Sequence, residues 1–357
     1  METKVKALVD GVDQFIGIDH HKKTSYITIK DRQGEIIKRG NIDTRPDALS
    51  AFLKDGIQEE GAVRMAVLES GRTYRPMWRW LSEEVDEVVL AHPGGLKIIS
   101  DTVYKDDKLD SGKLADLLML GMIPRAHAAS EEAWERRLTL RHRMMLVRMQ
   151  VKVKNIMHMI VDLYPDVFPR KPEMTDMFGK QGISWLVKLQ IPRDDRRRLD
   201  ELLEFWEFLE IKIRKSDSLV RKIVKEDERC QWLMTIPGIG YFFAALIVAE
   251  VDDINRFPSP KHFVSYIGLV PRRDKSGEVD RGGKMHKRGN RFLRWALVEA
   301  AIPATRSNLA LKNKYDRISA RKGRKKGRNI AKVAIANKLA WIVYAILKEE
   351  RPYEIRY

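Results

Sequence analysis

The sequence predicts an α/β domain followed by a mostly helical region. Short strands rich in Ile, Val and Thr alternate with helical segments over roughly the first 125 residues. From about Ser130 onward, long amphipathic helices follow without strand signals. The order of elements in the first part, βββαβαβα, is that of a ribonuclease-H-like domain, so we predict the fold class α/β plus α.

Three strands come first. Residues 14–19 (QFIGID) form a short apolar strand, and residues 24–30 (TSYITIK) alternate polar and β-branched side chains as a half-buried strand does. A turn at residues 31–34 leads into a third strand at 35–42. Because the connections are short, we predict an antiparallel meander.

Helices and strands then alternate. We predict a helix near 46–54, a strand at 63–69, a helix near 76–84, a strand at 87–91 and a helix over 110–120. Strands joined through a helix are expected to be parallel.

Two long helices are predicted next. Ser130, followed by two glutamates, has the pattern of an N-cap, and this helix continues to about residue 163. Its predicted apolar seam consists of Leu140, Met144, Val147 and Val151. A second helix is predicted over 193–225, so we expect an antiparallel pair or a coiled coil.

A mostly helical C-terminal region begins near Gln231. It contains the stretch IPGIG (236–240), a glycine-rich basic loop (271–290), and helices predicted over 291–304 and 330–347. The stretch IPGIG resembles the turn of a helix-hairpin-helix element. The predicted domains are therefore 1–127 (RuvC-like), 128–228 (helical coiled coil) and 229–357 (C-terminal).

Charge indicates the class of partner. The 357 residues carry a formal net charge of +17, which attracts polyanions, of which nucleic acid is the commonest. We expect no membrane association, because no apolar run reaches the ~20 residues of a spanning helix and the N-terminus lacks a signal-peptide pattern, and we expect a cytoplasmic protein. The single cysteine, Cys230, rules out an intramolecular disulfide and a cysteine-based zinc site.

Four carboxylates are candidate metal ligands. Asp19 ends the first strand, Glu69 ends the fourth, and Asp107 and Asp110 begin the helix in KDDKLDSGKLADLL. In the predicted topology strands one and four are neighbours, so the first two residues converge, and residues three apart share a helix face. Such a set suits Mg²⁺, and a pair of ions can stabilise the attacking and leaving oxygens of a phosphodiester displacement.

Basic side chains and glycines form a candidate nucleic-acid interface. Arg137, Arg141, Arg148 and Lys152 share one face of the first long helix, where phosphate binding competes with a merely solvated face. In IPGIG, Gly238 and Gly240 would let backbone N–H groups approach a phosphate, although a tight turn between packed helices has the same pattern.

One serine stands among the cations of the glycine-rich loop. Ser276 is surrounded by Arg272, Arg273, Lys275, Arg281, Lys284, Lys287, Arg288 and Arg291. This density of cations can hold a phosphate and stabilise the charge that develops as it is attacked. Ser276 could then be the nucleophile that stores the broken bond as a phosphoserine ester, whereas water activated by metal ions would simply cut.

The chain resembles a DEDD-class transposase related to the Piv DNA invertase, the insertion-sequence recombinases guided by a bridge RNA. The resemblance spans nearly the full length and is carried by FIGIDHHKK, the ES after a strand, KDDKLDSGKLADLL, IPGIG, YIGLVPRRDKSG, GGKMHKRGNRFLR and IAKVAIANKLAWIVYAIL, in the family's order.

This resemblance implies roles for residues and partners. Asp19, Glu69, Asp107 and Asp110 would be the metal ligands, and Ser276 the nucleophile. The cofactor would be Mg²⁺, in two ions, with Mn²⁺ as a substitute. The partners would be donor and target DNA and a guide RNA, acted on by a homodimer that pairs into a tetramer, with the two catalytic regions meeting across the dimer.

The sequence departs from the family pattern at two positions. The usual Lys-Thr-Asp is Lys105-Asp106-Asp107 here, so Asp106 competes with Asp107 as a ligand. His286 stands where Ser or Thr is frequent. Two alternatives to an RNA-guided recombinase remain: a metal-dependent nuclease or junction resolvase that uses water, and a basic binding protein with decayed catalysis.

Overall fold

The computed structural model describes residues 9–56, 59, 61–99, 107–165, 176–276, 279–285, 289–321 and 324–354, with side chains for all of these except 97–99, 107–109, 271–276, 279–285 and 324–325. The chain forms two compact units, Met1–Ala128 and Ala129–Tyr357.

The N-terminal unit is a five-stranded mixed sheet with helices. Its elements are β1 (Gln14–His20), β2 (Thr24–Lys30), β3 (Ile36–Asp43), α1 (Pro46–Lys54), β4 (Arg64–Glu69), α2 (Tyr74–Glu84), β5 (Glu87–Ala91), α3 (Pro93–Ile99) and α4 (Asp107–Met119). The predicted element order is confirmed. The sequence analysis missed α3 and placed the start of α4 three residues too late.

The strands lie in the order β3-β2-β1-β4-β5. The meander β1-β2-β3 is antiparallel, whereas β4 pairs parallel to β1 and β5 pairs parallel to β4. The prediction that strands one and four are neighbours is therefore confirmed. Apolar side chains cover both faces of the central strand, so β1 is buried along most of its length.

Helix α4 crosses β1 at a single glycine. A Cβ atom on Gly17 would lie 2.0 Å from the backbone oxygen of Ser111 and 2.6 Å from the backbone nitrogen of Ala115. Both Ser111 and Ala115 are completely buried. Only a residue without a side chain allows this helix to lie directly on the central strand.

The second unit is helical apart from one hairpin. Its elements are α5 (Glu131–Asp162), α6 (Lys180–Lys188), α7 (Arg193–Glu226), α8 (Glu228–Met234), α9 (Tyr241–Val251), a 3₁₀ turn (Ile254–Arg256), α10 (Pro260–Ile267), β6 (Pro271–Ser276), β7 (Val279–Met285), α11 (Arg291–Ser307), α12 (Leu309–Ala320) and α13 (Arg324–Glu349). The predicted N-cap of α5 is confirmed, because the Ser130 side chain accepts a hydrogen bond from the Ala133 N–H.

The two long helices α5 and α7 pack side by side in opposite directions. Arg143 Nε donates to Asp217 Oδ1 at 2.6 Å, and Gln150 Nε2 donates to Glu210 Oε2 at 2.6 Å. Residues further along α5 therefore contact residues earlier along α7, so the two helices are antiparallel. Of the predicted apolar seam, Leu140 is buried, but Val151 is 48% exposed. The buried face of α5 therefore departs from the predicted seam toward the C-terminal end of the helix.

The core of the C-terminal part lies between α9, α11 and α13. Cys230 is completely buried beside this core, and burial raises the pKa of its thiol to about 12. Helix α13 is long and apolar enough to cross a membrane by length and composition alone, but it supplies core residues such as Leu339 and Val343, and core helices pass the same test.

The glycine-rich segment is not simply a loop. Strands β6 and β7 pair antiparallel from Pro271↔Met285 to Ser276↔Val279. The prediction of a loop here was wrong, because strand patterns are hidden when charged residues and glycines replace the usual alternating apolar side chains.

Gly17, where β1 contacts α4, and Gly112, on the open side of α4, should respond oppositely to substitution by alanine. Gly17→Ala should lower the free energy of unfolding by about 1–3 kcal/mol, because the methyl group meets the backbone of α4. Gly112→Ala should raise it by about 0.5–1 kcal/mol, since a Cβ there meets nothing within 4 Å. Urea unfolding of both variants is the measurement. A Gly17→Ala protein as stable as wild type would contradict the described contact.

Candidate functional site

Two carboxylates end paired parallel strands. The register of β1 and β4 pairs Ile18 with Leu68, so Asp19 and Glu69 are the next residues at the same edge of the sheet. The Asp19 side chain is 23% exposed, and His21 Nε2 lies 3.4 Å from its Oδ2 atom. Glu69 is exposed. The sheet topology thus brings one half-buried and one exposed carboxylate to one edge.

His20 ties this edge to the segment that follows Glu69. Its Nε2 atom donates to the backbone oxygen of Thr73 at 3.0 Å, and its Nδ1 atom lies 3.0 Å from Ser25 Oγ. Burial lowers the pKa of His20, although the hydrogen bond to Thr73 opposes that shift. The contact fixes the end of β1 relative to the chain beyond β4.

Helix α4 runs antiparallel to β1. Asp116, near its end, pairs with Lys30, which lies opposite Phe15 at the beginning of β1. Ser111, one turn earlier, lies 2.8 Å (Oγ to Oγ1) from Thr28, which is paired with Gly17. The start of α4 therefore lies toward the end of β1 that carries Asp19.

The two aspartates of α4 lie at that start. Position 107 precedes Ser111 by four residues, about 6 Å along the helix, and Asp19 is about 6.5 Å beyond Gly17 along the strand. Positions 107 and 19 are thus at a similar level. Asp110 is half-buried, and Lys113 Nζ lies 3.8 Å from its Oδ1 atom.

The donor set suits a hard divalent cation. Carboxylate oxygens are the protein ligands that Mg²⁺ and Mn²⁺ prefer. Among the side chains that the structure describes, no three potential ligands already surround one point. The side chain of Asp107 and the whole of Asp106 lie outside the described part, so the choice between these two residues stays open.

The predicted basic face of α5 is divided in two. Arg137 is 9% exposed, and its guanidinium donates to the backbone oxygens of Ala249 (2.7 Å) and Glu250 (3.1 Å). Arg141 donates twice to Oε1 of Glu250, at 3.0 and 2.7 Å. These two arginines therefore form contacts inside the protein, and their predicted binding of nucleic acid stays a prediction.

Two other cations of that face remain available. Arg148 and Lys152 are both exposed on α5. The sequence analysis missed a further cluster on α12 and α13, formed by Lys314, Arg317 and Lys338. Burial lowers the pKa of Lys314, and the nearby charges of the other two lower it further. The signal for this cluster was weak, since its members are separated in sequence.

The two glycines of the stretch IPGIG have different surroundings. Gly238 has φ +88°, and a Cβ there would lie 2.5 Å from the backbone oxygen of Ala300, so this glycine is required for packing against α11. Gly240 is exposed at the N-terminus of α9, and a Cβ there would meet nothing within 4 Å. Only the second position keeps the geometry expected of a phosphate contact.

Ser276 lies at the tip of the β6-β7 hairpin. It is the last residue of β6 and pairs with Val279 across a two-residue connection. The backbone positions of Arg272, Arg273, Lys275 and Arg281 lie on the same hairpin, but their side chains are outside the described part, as are His286, Lys287 and Arg288 entirely. Arg291 is exposed at the start of α11.

Two sequence families match this arrangement of units. Residues 16–165 match a transposase family of the DEDD type defined by the insertion element IS110. Residues 230–316 match the Transposase IS116/IS110/IS902 family. The two matches show that the chain is similar to IS110-type transposases over residues 16–165 and 230–316, each match covering less than half of the chain. The first match covers the sheet with its carboxylates, and the second covers the hairpin with Ser276.

Individual transposases and a gene-inverting protein are similar to parts of the chain. The chain is 36% identical over 137 residues to the transposase for insertion sequence element IS1111A of Coxiella burnetii, covering 38% of this chain and 37% of the relative. It is 32% identical over 131 residues to a pilin gene-inverting protein of Moraxella bovis, covering 36% and 40%. It is 28% identical over 209 residues to the transposase for IS1328 of Yersinia enterocolitica, covering 56% and 59%. The chain therefore spans less than two thirds of the length of each of these relatives.

Basic side chains on the two parts of the α5 face should respond differently to substitution by alanine. Replacing Arg148 and Lys152 together with alanine should weaken binding of duplex DNA or RNA and reduce the slope of log K against log salt by about 1.4 to 1.8, as expected for two lost phosphate contacts. Arg141→Ala should leave that slope unchanged but lower the free energy of unfolding by roughly 1–3 kcal/mol, because Glu250 loses its partner. Fluorescence anisotropy over a salt series measures the slope, and urea unfolding measures the free energy of unfolding. An unchanged slope for the double variant would show that Arg148 and Lys152 are only solvated and do not bind phosphate.

Proposed function

We propose that this protein is an IS110-type transposase, an RNA-guided DNA recombinase that cuts and rejoins strands through a covalent phosphoserine intermediate. The observation that supports this most is the convergence of Asp19 and Glu69 on paired parallel strands, with the start of α4 directed toward the same edge. Oxygen ligands at one edge of the sheet, in a chain with a formal net charge of +17, suit cleavage of a phosphodiester backbone.

Asp19, Glu69, Asp107 and Asp110 would hold the divalent cations. Mg²⁺, or Mn²⁺ in its place, would supply charge that stabilises the attacking and leaving oxygens of the displacement. The protein contributes a rigid placement of these carboxylates, because β1 is fixed by its two neighbouring strands, by α4 and by His20. Asp106 is the competing third ligand.

Ser276 would be the nucleophile. Its Oγ atom would attack a backbone phosphorus, forming an oxygen–phosphorus bond as the bond to the leaving sugar oxygen breaks, and the hydroxyl proton would pass to a base or to solvent. A hydroxyl of another strand could then attack the phosphoserine and release the serine. The number of ester bonds is conserved, so rejoining requires no ATP.

Cations of the second unit would hold the nucleic acids. Arg148, Lys152, Gly240 and Arg291 remain as contacts from the predicted set, together with the hairpin cations Arg272, Arg273, Lys275, Arg281, Lys287 and Arg288. If an RNA selects the DNA by base pairing, the protein need only bind backbones. The partners would be donor and target DNA and the guide RNA, bound by a homodimer or a tetramer of two dimers in the cytoplasm.

A second candidate is a metal-dependent nuclease of the junction-resolvase type. All four candidate ligands belong to the N-terminal unit, so hydrolysis by water would require only that unit. Ser276 would then be a phosphate contact. The set of carboxylates makes a binding protein without catalysis the weakest of the three readings.

One gel separates these functions. Labelled donor and target DNA would be incubated with Mg²⁺, RNA transcribed from the flanking DNA, and wild-type, Ser276→Ala or Asp19→Asn protein. The recombinase predicts a labelled band at the size of the protein for wild type alone, because only it has both the nucleophile and the full ligand set. Asp19→Asn should still bind DNA and RNA.

Other bands would contradict the proposal. Free cleaved DNA from wild type and Ser276→Ala, with no adduct in either, would show that water is the nucleophile. Full cleavage by Asp19→Asn would remove Asp19 from the metal site.

A further inference from the structure

A buried carboxylate in the second unit has no role in the chemistry above. Glu250 is 1% exposed and lies near the end of α9, in the otherwise apolar stretch YFFAALIVAEV. Burying an ionised carboxylate costs several kcal/mol unless cations and hydrogen-bond donors surround it. The groups that surround Glu250 therefore show which parts of the fold its carboxylate links together.

Its two oxygen atoms bind different elements. Oε1 accepts both hydrogen bonds of Arg141 on α5, and Oε2 accepts a hydrogen bond from Asn290 Nδ2 at 2.8 Å. Asn290 immediately precedes α11. Glu250 thus links α5 and α9 to the point where the chain enters α11.

That point is also where the segment carrying Ser276 returns to the core. The Asn290 N–H donates to the backbone oxygen of Tyr266 at 2.8 Å, and its Oδ1 atom caps α11 by accepting from the N–H groups of Phe292 and Leu293 at 2.9 and 3.1 Å. Gly289 has φ +115°, and a Cβ there would lie 2.7 Å from the same Tyr266 oxygen. The chain that follows the hairpin is therefore held in place at both Gly289 and Asn290.

The entry of the hairpin is held as well. Asn337 on α13 donates from Nδ2 to the backbone oxygen of Leu269 at 3.0 Å, two residues before β6 begins. Entry and exit are thus both anchored in the core of the second unit, while Ser276 lies at the opposite end of the hairpin.

The length of the hairpin makes this anchoring consequential. Ser276 lies five positions beyond Pro271 along β6, a span of about 17 Å. A tilt of about 3 to 4° at the base would move the tip by about 1 Å, and a misplacement of that size can cost on the order of a hundredfold in rate.

We propose that Glu250 and Asn290 are positioning residues for Ser276. Their part-buried hydrogen bond fixes the direction in which the hairpin leaves the core, and Arg141 supports it by pairing with Glu250. The proposal rests on the proposed role of Ser276 as nucleophile. It assigns a function to residues that contact neither the metal ligands nor the serine in the described part of the chain.

Asn290→Ser tests the hydrogen bond without removing the helix cap. Serine caps helices about as well as asparagine, but its shorter hydroxyl cannot both cap α11 and replace the Nδ2 donor to Glu250. The rate constant for adduct formation would be measured in a single turnover, with protein in excess over labelled donor DNA, Mg²⁺ and RNA transcribed from the flanking DNA. It should fall about ten- to a hundredfold, while the dissociation constant for DNA is unchanged.

Asn308→Ser is the matched control. Asn308 also caps a helix, accepting from the Leu311 N–H, and its Nδ2 atom also holds a second element, Tyr353 Oη at 3.0 Å. It should lose comparable thermal stability and keep the wild-type rate constant. Unfolding lowers the amplitude of the adduct, whereas mispositioning lowers the rate constant, so the two effects are separable.

Asn290→Asp provides a second test should the serine variant fail to fold. It retains the capping oxygen but places a carboxylate where Glu250 requires a donor, so it should also slow adduct formation. A wild-type rate constant in either folded Asn290 variant, or equal slowing in Asn308→Ser, would overturn this proposal alone. Absence of an adduct with wild-type protein would overturn the proposed function and this inference with it.

Discussion

The parallel pairing of β1 with β4, with α4 lying directly on β1, is the constraint on which the candidate metal centre depends. Parallel strands end at the same edge, so Asp19 and Glu69, which follow the paired residues Ile18 and Leu68, are neighbours by topology. Gly17 lets the backbone of α4 approach the strand, and the antiparallel course of that helix brings its first turn to the same edge. Three separate parts of the sequence thus lie toward one edge of the sheet.

The second unit depends on a different interaction, the burial of Glu250. Its carboxylate accepts from Arg141, lies 3.8 Å (Oε2) from Arg137 Nε, and accepts from Asn290 at the base of a hairpin rich in cations. Breaking a buried ion pair costs far more than losing an exposed one. Positive charge in this protein therefore has two uses, internal neutralisation and an exposed surface suited to nucleic acid.

Much of the N-terminal unit could be predicted because its signals are local. Residues 24–30 alternate in polarity, residues 14–19 are continuously apolar, and the connections set strand direction. Adjacency of Asp19 and Glu69 followed from topology alone and is confirmed. The level of Asp107 relative to Asp19 could not be predicted, since it depends on the crossing of α4 at Gly17.

Prediction was poorer where long-range contacts decide the outcome. Helical spacing correctly grouped Arg137, Arg141, Arg148 and Lys152, but the partner that separates the first two from the others is Glu250, more than a hundred positions away. The lone acid in an apolar helix was the available signal. The β6-β7 hairpin was missed because its strands lack apolar alternation, and Gly238 was read as a ligand contact although it packs against Ala300.

Binding of Mn²⁺ to the full chain tests the metal centre most directly. Electron paramagnetic resonance of free Mn²⁺ would be recorded for wild type, Asp19→Asn, Glu69→Gln and Asp116→Asn, the last being a carboxylate on α4 that pairs with Lys30 at the opposite end of β1. The account predicts that wild type and Asp116→Asn bind the ion and that the other two variants lose most of that binding. Equal binding by all four proteins would contradict a metal centre at this edge of the sheet.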